Sequence, residues 1–409
     1  MKNLIINQTS LLFISSILGI GLGLISSILN THFLTPEEYG NYRYVFNILS
    51  FGGSIFLFGY FVSGCRLLAV SKDLDFTKRL NGAMIVILAI AIGVTDIFMI
   101  LGSFIQNYFN SSVSPLFIAS LPVCGVPLIL NYINTTFQGE NRIKELSIAR
   151  LLPYAVYLPI GYFWYKSYGS SAKTLMWLQN GCALIIYLAL IISLKPKFNN
   201  LRPIFKILNK ENRDYGFHVY VGSVLAVSLG YVSGITLGIY EDNNVNVGFY
   251  TLALTVATPL TILPTIVGTT HFKEFANTDH IAHKVIRNTV VVSLISLIAF
   301  VLMIVPLVKW VYSEAYAPVG YYSCLLAIGM VWHGFGDMYN RFLGAHGKGK
   351  EIRNSAVITG IIQLSGSVGL VYICGIYGAI ITRIISSITY CILMMYYYRS
   401  MQIKTRNYV

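Results

Sequence analysis

Seven ionisable residues fall where apolar helices would cross a bilayer, and they are the chain's candidates for chemistry: Arg43, Arg66, Asp96, His333, Asp337, Arg341 and Arg383. A charge near the bilayer centre costs roughly 2.5–3.5 kcal/mol even on the permissive insertion scale, so each needs a partner or a wet cavity. Asp96 lies near the middle of an apolar run, between Thr95 and Ile97 and shortly after Gly93. Two readings stand for it: a binding site for a coupling proton or cation, or an acid locked in an interhelical ion pair. His333, Asp337 and Arg341 recur at i, i+4 and i+8, which puts them on one helical face that must look inward. Asp337 four residues before Arg341 is the favourable order for an in-helix ion pair, worth about half a kcal/mol on an exposed helix. The basic head of Arg341 can meet an anionic substrate near the cytoplasmic mouth, or snorkel to the interface.

Arg43 and Arg66 sit at opposite ends of one span, 23 residues and so roughly 35 Å apart along a helix. They cannot grip one ligand together. They can serve the outer and inner mouths of one pathway in turn, or each can snorkel. Arg383 lies some seven residues into the last span, with polar Thr382 and Ser386 near it, a placement expected to face a cavity.

Other chemistry is excluded by what fails to assemble. Gly344-Ala345-His346-Gly347-Lys348-Gly349-Lys350 nearly spells a phosphate-binding P-loop, but Glu351 stands where the magnesium-binding Ser or Thr belongs, and a membrane helix rather than a strand precedes it. It reads as a tight basic turn. Cysteines 65, 124, 182, 324, 374 and 391 are single and scattered, without the close pairs of a zinc or redox site. No catalytic residue, metal site or cofactor is expected, apart from a coupling H+ or Na+.

The elements that must position these residues are membrane helices. Of the 409 residues, 55% are hydrophobic and only 11% charged, and the mean hydropathy is +0.66, which a soluble domain cannot carry. Apolar runs at 10–32, 43–70, 81–106, 115–137, 148–166, 173–194, 215–240, 248–270, 286–312, 319–343, 355–373 and 377–398 give twelve spans, each long enough to cross hydrocarbon as a helix and too long for a barrel strand. The first is too long and too lightly flanked for a cleaved signal peptide.

An internal repeat organises them. Gly40-Asn41-Tyr42 returns as Gly248-Phe249-Tyr250, Arg79 as Arg287, and Gly139 with Arg142 as Gly347 with Lys350, all offset by 208 residues. Tyr168-Gly169 returns as Tyr377-Gly378, offset 209. An offset held across loops of unlike composition marks a duplication, and duplicated halves suggest a transporter. The chain is therefore read as an all-α polytopic membrane protein: a six-helix lobe over 1–194, a basic linker over 195–214, and a second six-helix lobe over 215–409 with a short tail.

With the N-terminus inside, all but five of the 29 basic residues fall in cytoplasmic loops or at cytoplasmic helix ends, the exceptions being Arg43, Lys166, Lys173, Lys309 and Arg383. The positive-inside rule then places both termini in the cytoplasm, and the formal net charge of +13 is a matter of topology that calls for no nucleic acid. Prolines 122, 127, 153, 159, 259, 264 and 306 within spans are expected to bend helices around a cavity or at rocking points. The tyrosines clustered at span ends, such as Tyr42, Tyr44, Tyr321, Tyr322 and Tyr396, read first as interface anchors.

The stretch Leu34-Thr35-Pro36-Glu37-Glu38-Tyr39-Gly40-Asn41-Tyr42, its repeat partner around Gly248, the basic turn Gly347-Lys348-Gly349-Lys350 and Gly375-Ile376-Tyr377-Gly378-Ala379 before the last span together resemble the polysaccharide flippases of the multidrug/oligosaccharidyl-lipid/polysaccharide (MOP) exporter superfamily, in particular the O-antigen (Wzx-type) branch. The resemblance runs the full length. It implies a MATE-like V of two six-helix lobes around a cavity that opens alternately to cytoplasm and periplasm of the bacterial inner membrane. It implies as cargo an O-antigen repeat unit on undecaprenyl pyrophosphate, with membrane lipids, an O-antigen polymerase and a chain-length regulator as partners. Related lipid flippases place arginines in span one, and this chain has none there. At Arg383 the family pattern usually has a small residue, so that role rests on this chain alone.

The function expected is flipping of the lipid-linked oligosaccharide by alternating access, coupled to an ion gradient through an acid such as Asp96, with Asp337 and His333 as further coupling candidates. The alternative is a drug or cation antiporter of the same fold, whose cavity should be more acidic than the arginine-rich set here. A membrane enzyme such as a polymerase would need a sizeable outer loop, and the outer loops are about ten residues or fewer.

Overall fold

A chain in hydrocarbon must satisfy its own backbone polar groups, and this one does so with helices. The computed structural model describes residues 2–109 and 113–406, and among them there is no β-strand, as the all-α reading requires. The side chains of Lys2, Lys273, Lys404 and Arg406, counted in the charge asymmetry, lie outside the described ones. Among the described residues, eight helices are long and apolar enough to cross a membrane, and two further pairs qualify when each bent pair is taken as one span. Ile97, Phe104, Ile295 and Leu302 are each at least 60% exposed, an apolar surface that only lipid can cover. The protein is a multi-pass membrane protein.

The helices are α1 (Lys2–Phe33), α2 (Pro36–Ile55), α3 (Tyr60–Val70), α4 (Leu74–Phe109), α5 (Ser114–Ser120), α6 (Val126–Gly139), α7 (Ile143–Tyr168), α8 (Ala172–Ser193), α9 (Leu201–Glu211), α10 (Phe217–Tyr240), α11 (Val245–Ala257), α12 (Pro259–Thr270), α13 (Phe272–Phe275), α14 (His283–Val311), α15 (Pro318–Ala345) and α16 (Gly349–Arg406). They form two compact units, 1–231 and 232–409. The expected linker over 195–214 contains α9, a helix packed on α3 and α4 of the first unit.

In the first unit the sequence signature Thr35-Pro36-Glu37-Glu38 is a helix start. Thr35 caps α2 by accepting from the Glu38 amide at 3.3 Å, with Pro36 in the first helical position and both acids in the first turn. Glu38 also reaches α8, accepting from the Ala172 amide at 2.5 Å, so one short motif ties two helix N-termini. Buried polar contacts join α1, α7 and α8: Tyr157 donates to Asn30, and Asn30 donates to Gln179 at 3.2 Å.

In the second unit α15 is the hub, packed against α11, α12, α13, α14 and α16. That central place is why its polar face is enclosed. The 58-residue α16 is continuous except at Gly375, whose φ of +53° and ψ of −132° turn the chain back on itself between the arms 349–374 and 376–406. This is where the sequence separates its last two spans.

The prolines divide in two groups. Pro122 sits in a 3-10 turn, Leu121–Val123, between α5 and α6, Pro127 lies in the first turn of α6, and Pro259 starts α12 at a 40° bend from α11. Pro153, Pro159, Pro264 and Pro306 lie inside helices that continue through them. The sharpest bend, 59° between α2 and α3, has no proline. It occupies the span that the repeat pairs with the bent α11 and α12. Phe58 and Gly59 adopt φ of +46° and +82° there, and the freed carbonyls take donors from a distant segment: Asn212 Nδ2 to the Phe58 oxygen at 3.0 Å, and the Tyr220 hydroxyl to the Ile55 oxygen. The segment is a single π-helical turn, Asn212–Gly216, followed by the first turn of α10, which carries Tyr220. It packs so closely that a Cβ on Gly59 would lie 2.6 Å from the Gly216 oxygen.

Gly59→Ala combines a left-handed φ, which costs about 1–2 kcal/mol for a residue with Cβ, with that backbone collision. It should lower the midpoint of thermal unfolding in detergent by several degrees. Gly93→Ala, in α4 with nothing within 4 Å of the added carbon, should leave the midpoint unchanged or raise it, since alanine is the better helix former by about 0.5–1 kcal/mol. Equal midpoints for the two variants would show that the α2–α3 break does not depend on Gly59.

Candidate functional site

Each unit encloses one set of the residues singled out in the sequence. In the first unit Arg43 projects from the first turns of α2 into a ring of phenols. Its guanidinium carbon lies 5.7 Å from the centre of the Tyr39 ring, within cation–π range, and Tyr42, Tyr154 and Tyr231 are further electrostatic neighbours. Tyr39 and Tyr42 are buried. Among the described residues no carboxylate lies within 4 Å of Arg43, and its buried Nε has no hydrogen-bond partner. A buried donor without an acceptor costs about 1–3 kcal/mol, more when charged, and an incoming anion would remove that cost.

Arg66 has a different situation. Its guanidinium is bound to Glu211 of α9 at 2.8 Å and lies 4.7 Å from the Tyr215 ring centre. The expected pairing of Arg43 and Arg66 as two mouths of one pathway thus meets one arginine without an anion and one already supplied with it.

Asp96, on α4, accepts from the Cys124 thiol at 2.8 Å. Cys124 is fully buried, in the turn where Pro122 interrupts span four. No basic residue lies within ion-pair distance of Asp96 among the described residues, so the carboxyl is held by a weak neutral donor rather than by the interhelical cation that one reading expected.

In the second unit His333 and Asp337 share one face of α15 and gain partners from neighbouring helices. Asp337 accepts from the Tyr390 hydroxyl at 3.0 Å, and Tyr390 accepts from Asn340 at 2.7 Å. The His333 ring lies 5.0 Å from that of Tyr390. Thr265 on α12 is within 3.2 Å of the second Asp337 oxygen and 2.8 Å of the Thr261 carbonyl. One hydroxyl proton thus faces two acceptors. A proton on Asp337 would resolve the shortage: the acid would donate to Thr265 while Thr265 donates to Thr261.

The expected in-helix pair between Asp337 and Arg341 is not formed within 4 Å. Arg341 is exposed, and its stem packs over Gly268, while Asp337 is satisfied by hydroxyls. Arg383 is an electrostatic neighbour of His333 and of buried Tyr250. Among the described residues its buried Nε has no hydrogen-bond partner, and neither do the buried hydroxyls of Ser386 and Ser387 one turn on. The structure brings together His333, Asp337 and Arg383. Tyr390 and Thr265 were missed in the sequence, where each reads as an ordinary span residue. Tyr39, by contrast, stands four residues before Arg43 and could have been found from that spacing.

The fold has counterparts in known proteins. A family profile described as "Polysaccharide biosynthesis protein" matches residues 5–272. No curated protein sequence matches the chain. Among solved structures, the lipid II flippase MurJ in an inward closed conformation superposes with a TM-score of 0.75 at 14% identity, over 95% of this chain and 87% of that one. An inward-facing multidrug resistance MATE family transporter of the MOP superfamily gives 0.68 at 14% identity, over 94% and 95%. A MOP superfamily transporter from Pyrococcus furiosus, described by the reverse polarity of its binding pocket, gives 0.55 at 13% identity, over 96% of each chain. The fold is that of the MOP transporters, and the chain belongs to the polysaccharide biosynthesis protein family.

Proposed function

We propose that the protein is a flippase that carries an undecaprenyl-pyrophosphate-linked O-antigen repeat unit from the cytoplasmic to the periplasmic face of the inner membrane by alternating access, driven by an ion gradient. The observation that carries the reading is Arg43: a guanidinium near the start of a span with an unused buried donor, ringed by phenols and, among the described residues, without a carboxylate in reach. A guanidinium meets phosphate oxygens through paired, charge-assisted hydrogen bonds, and tyrosine faces and hydroxyls suit a sugar. Arg383 offers a second such donor in the other unit.

The acids suit the coupling role. Asp96 and Asp337 are paired with neutral donors, so each can take up or release a proton without breaking an ion pair. Asp337 also has the hydrogen shortage at Thr265 that one proton would fill. The same two acids, engaged by neutral donors alone among the described residues, favour a second reading, a MATE-like drug or cation antiporter in which they face the cargo. The two differ in cargo charge: Arg43 should be essential for an anionic lipid and obstructive for a cation.

The test is the sidedness of undecaprenyl-linked repeat units in membranes depleted of the protein, followed together with surface polysaccharide. Accumulation facing the cytoplasm with loss of surface polymer is expected, and normal arrival at the periplasmic face would overturn the flippase reading in favour of the antiporter. In that assay Arg43→Ala should reduce flipping by about ten- to a hundredfold, the worth of a charge-assisted hydrogen bond of about 1.5–3 kcal/mol, at unchanged abundance in the membrane. Arg43→Lys should recover part of it. Full flipping by Arg43→Ala would remove Arg43 from the cargo site. Asp337→Asn in proteoliposomes should abolish acceleration by an imposed proton gradient while leaving flipping without a gradient intact. Acceleration equal to that of the parent protein would exclude Asp337 as the coupling acid.

A further inference from the structure

The segment joining α8 to α10 carries a line of cations. Arg202, Lys206 and Lys210 stand at i, i+4 and i+8 along α9, and Arg213 extends the line at i+11, so all four fall within one narrow stripe of a helical wheel. The first three are exposed, and among the described residues none has a carboxylate within 4 Å. The acids nearby are engaged: Glu211 holds Arg66 at 2.8 Å, and Asp214 faces Arg213 at 3.8 Å. The opposite side of α9 is rooted in the protein through Ile204 and Leu208, 3% and 0% exposed, against α3 and α4. Beside the stripe an apolar flank stays open, with Ile207 44% and Phe198 56% exposed.

The helix lies where the chain passes from one span to the next. It connects the ends of two long helices, and the chain before it is tied to the start of α4 by the Lys197 amide on the Lys78 oxygen at 2.9 Å and by the Lys197 ammonium on Asp75 at 2.6 Å. A small soluble anion would be gripped by cations that converge on a point. These instead stand in a row, each about 6 Å beyond the last, a spacing suited to several phosphates side by side. Basic residues in line with an adjoining apolar flank are what an interfacial helix presents to a charged leaflet.

We infer that α9 is a docking surface for anionic phospholipid headgroups, with the cationic stripe on the phosphates and Ile207 with Phe198 in the boundary of the acyl chains. The reading does not depend on the cargo proposed above. Its C-terminal end is joined through Glu211 to Arg66 and through Asn212 to the carbonyl at the α2–α3 break, so bound lipid bears directly on the segment that caps the break.

The full-length protein in neutral detergent would be titrated with phosphatidylglycerol or phosphatidylcholine, and bound lipids counted by mass spectrometry of the intact complex. The parent protein should prefer phosphatidylglycerol, with an affinity that falls as salt is raised. Each basic residue at an anionic surface is worth about fivefold in affinity. The combined variant Arg202→Gln, Lys206→Gln and Lys210→Gln should therefore bind phosphatidylglycerol on the order of a hundredfold more weakly, while phosphatidylcholine binding is unchanged. Lys350→Gln with Arg353→Gln, in the basic turn before the last two spans, should leave both unchanged. An unaltered preference for phosphatidylglycerol in the triple variant would overturn the inference. So would displacement of the lipid by equimolar inorganic phosphate, which would assign the stripe to a free anion. Thermal unfolding of each variant verifies that the fold is intact.

Discussion

A carbonyl released inside hydrocarbon has no water to turn to, and the second span releases several. Its bend exists because Asn212 and Tyr220 supply donors to the Phe58 and Ile55 carbonyls, and because Gly59 and Gly216 let two backbones approach where any Cβ would collide. Much else follows from this satisfaction of the backbone. The turn that caps the break is the C-terminal continuation of α9, so the helix is pinned to α3. Arg66 is drawn into its ion pair with Glu211 as part of the same joint. A residue expected at one mouth of a pathway is thus also part of a structural clasp.

The ionisable residues within the spans obey the same economy in different ways. Asp96 and Asp337 avoid the cost of an isolated charge by facing a thiol and a phenol, and neither is fixed by a permanent cation. Arg43 and Arg383 keep a buried donor in reserve. The proposed anion acceptance and proton exchange would both fall to groups whose hydrogen-bonding capacity is incomplete, which is the condition for a site that binds and releases in turn.

Periodicity and the repeat made the helical architecture legible, since apolar runs of some twenty residues and an offset that persists across loops are properties of the chain alone. The Thr35-Pro36-Glu37-Glu38 start could be read because a cap acts within four residues. The bend in span two could not, because its cause lies about 150 residues away in Asn212 and Gly216, and because proline, the usual sign, is absent there. Four of the prolines that seemed to mark bends lie in helices that continue, their lost hydrogen bonds being local. At the sites, types and helical faces were readable but partners were not. The i, i+4 spacing suggested Arg341 for Asp337, whereas the central position of α15 gives it Tyr390 and Thr265 from two neighbouring helices.

The turn at Gly375 bears on how the protein is made. A single residue in the left-handed region separates two arms of α16, and no polar loop stands between them to be threaded across the bilayer. Lys348, Lys350 and Arg353 at the start of the first arm and Arg399 near the end of the second stand at the same end of this hairpin. A hairpin with its charged ends together and nothing polar at its tip can enter a bilayer as one preformed unit, because no loop has to be threaded across the hydrocarbon.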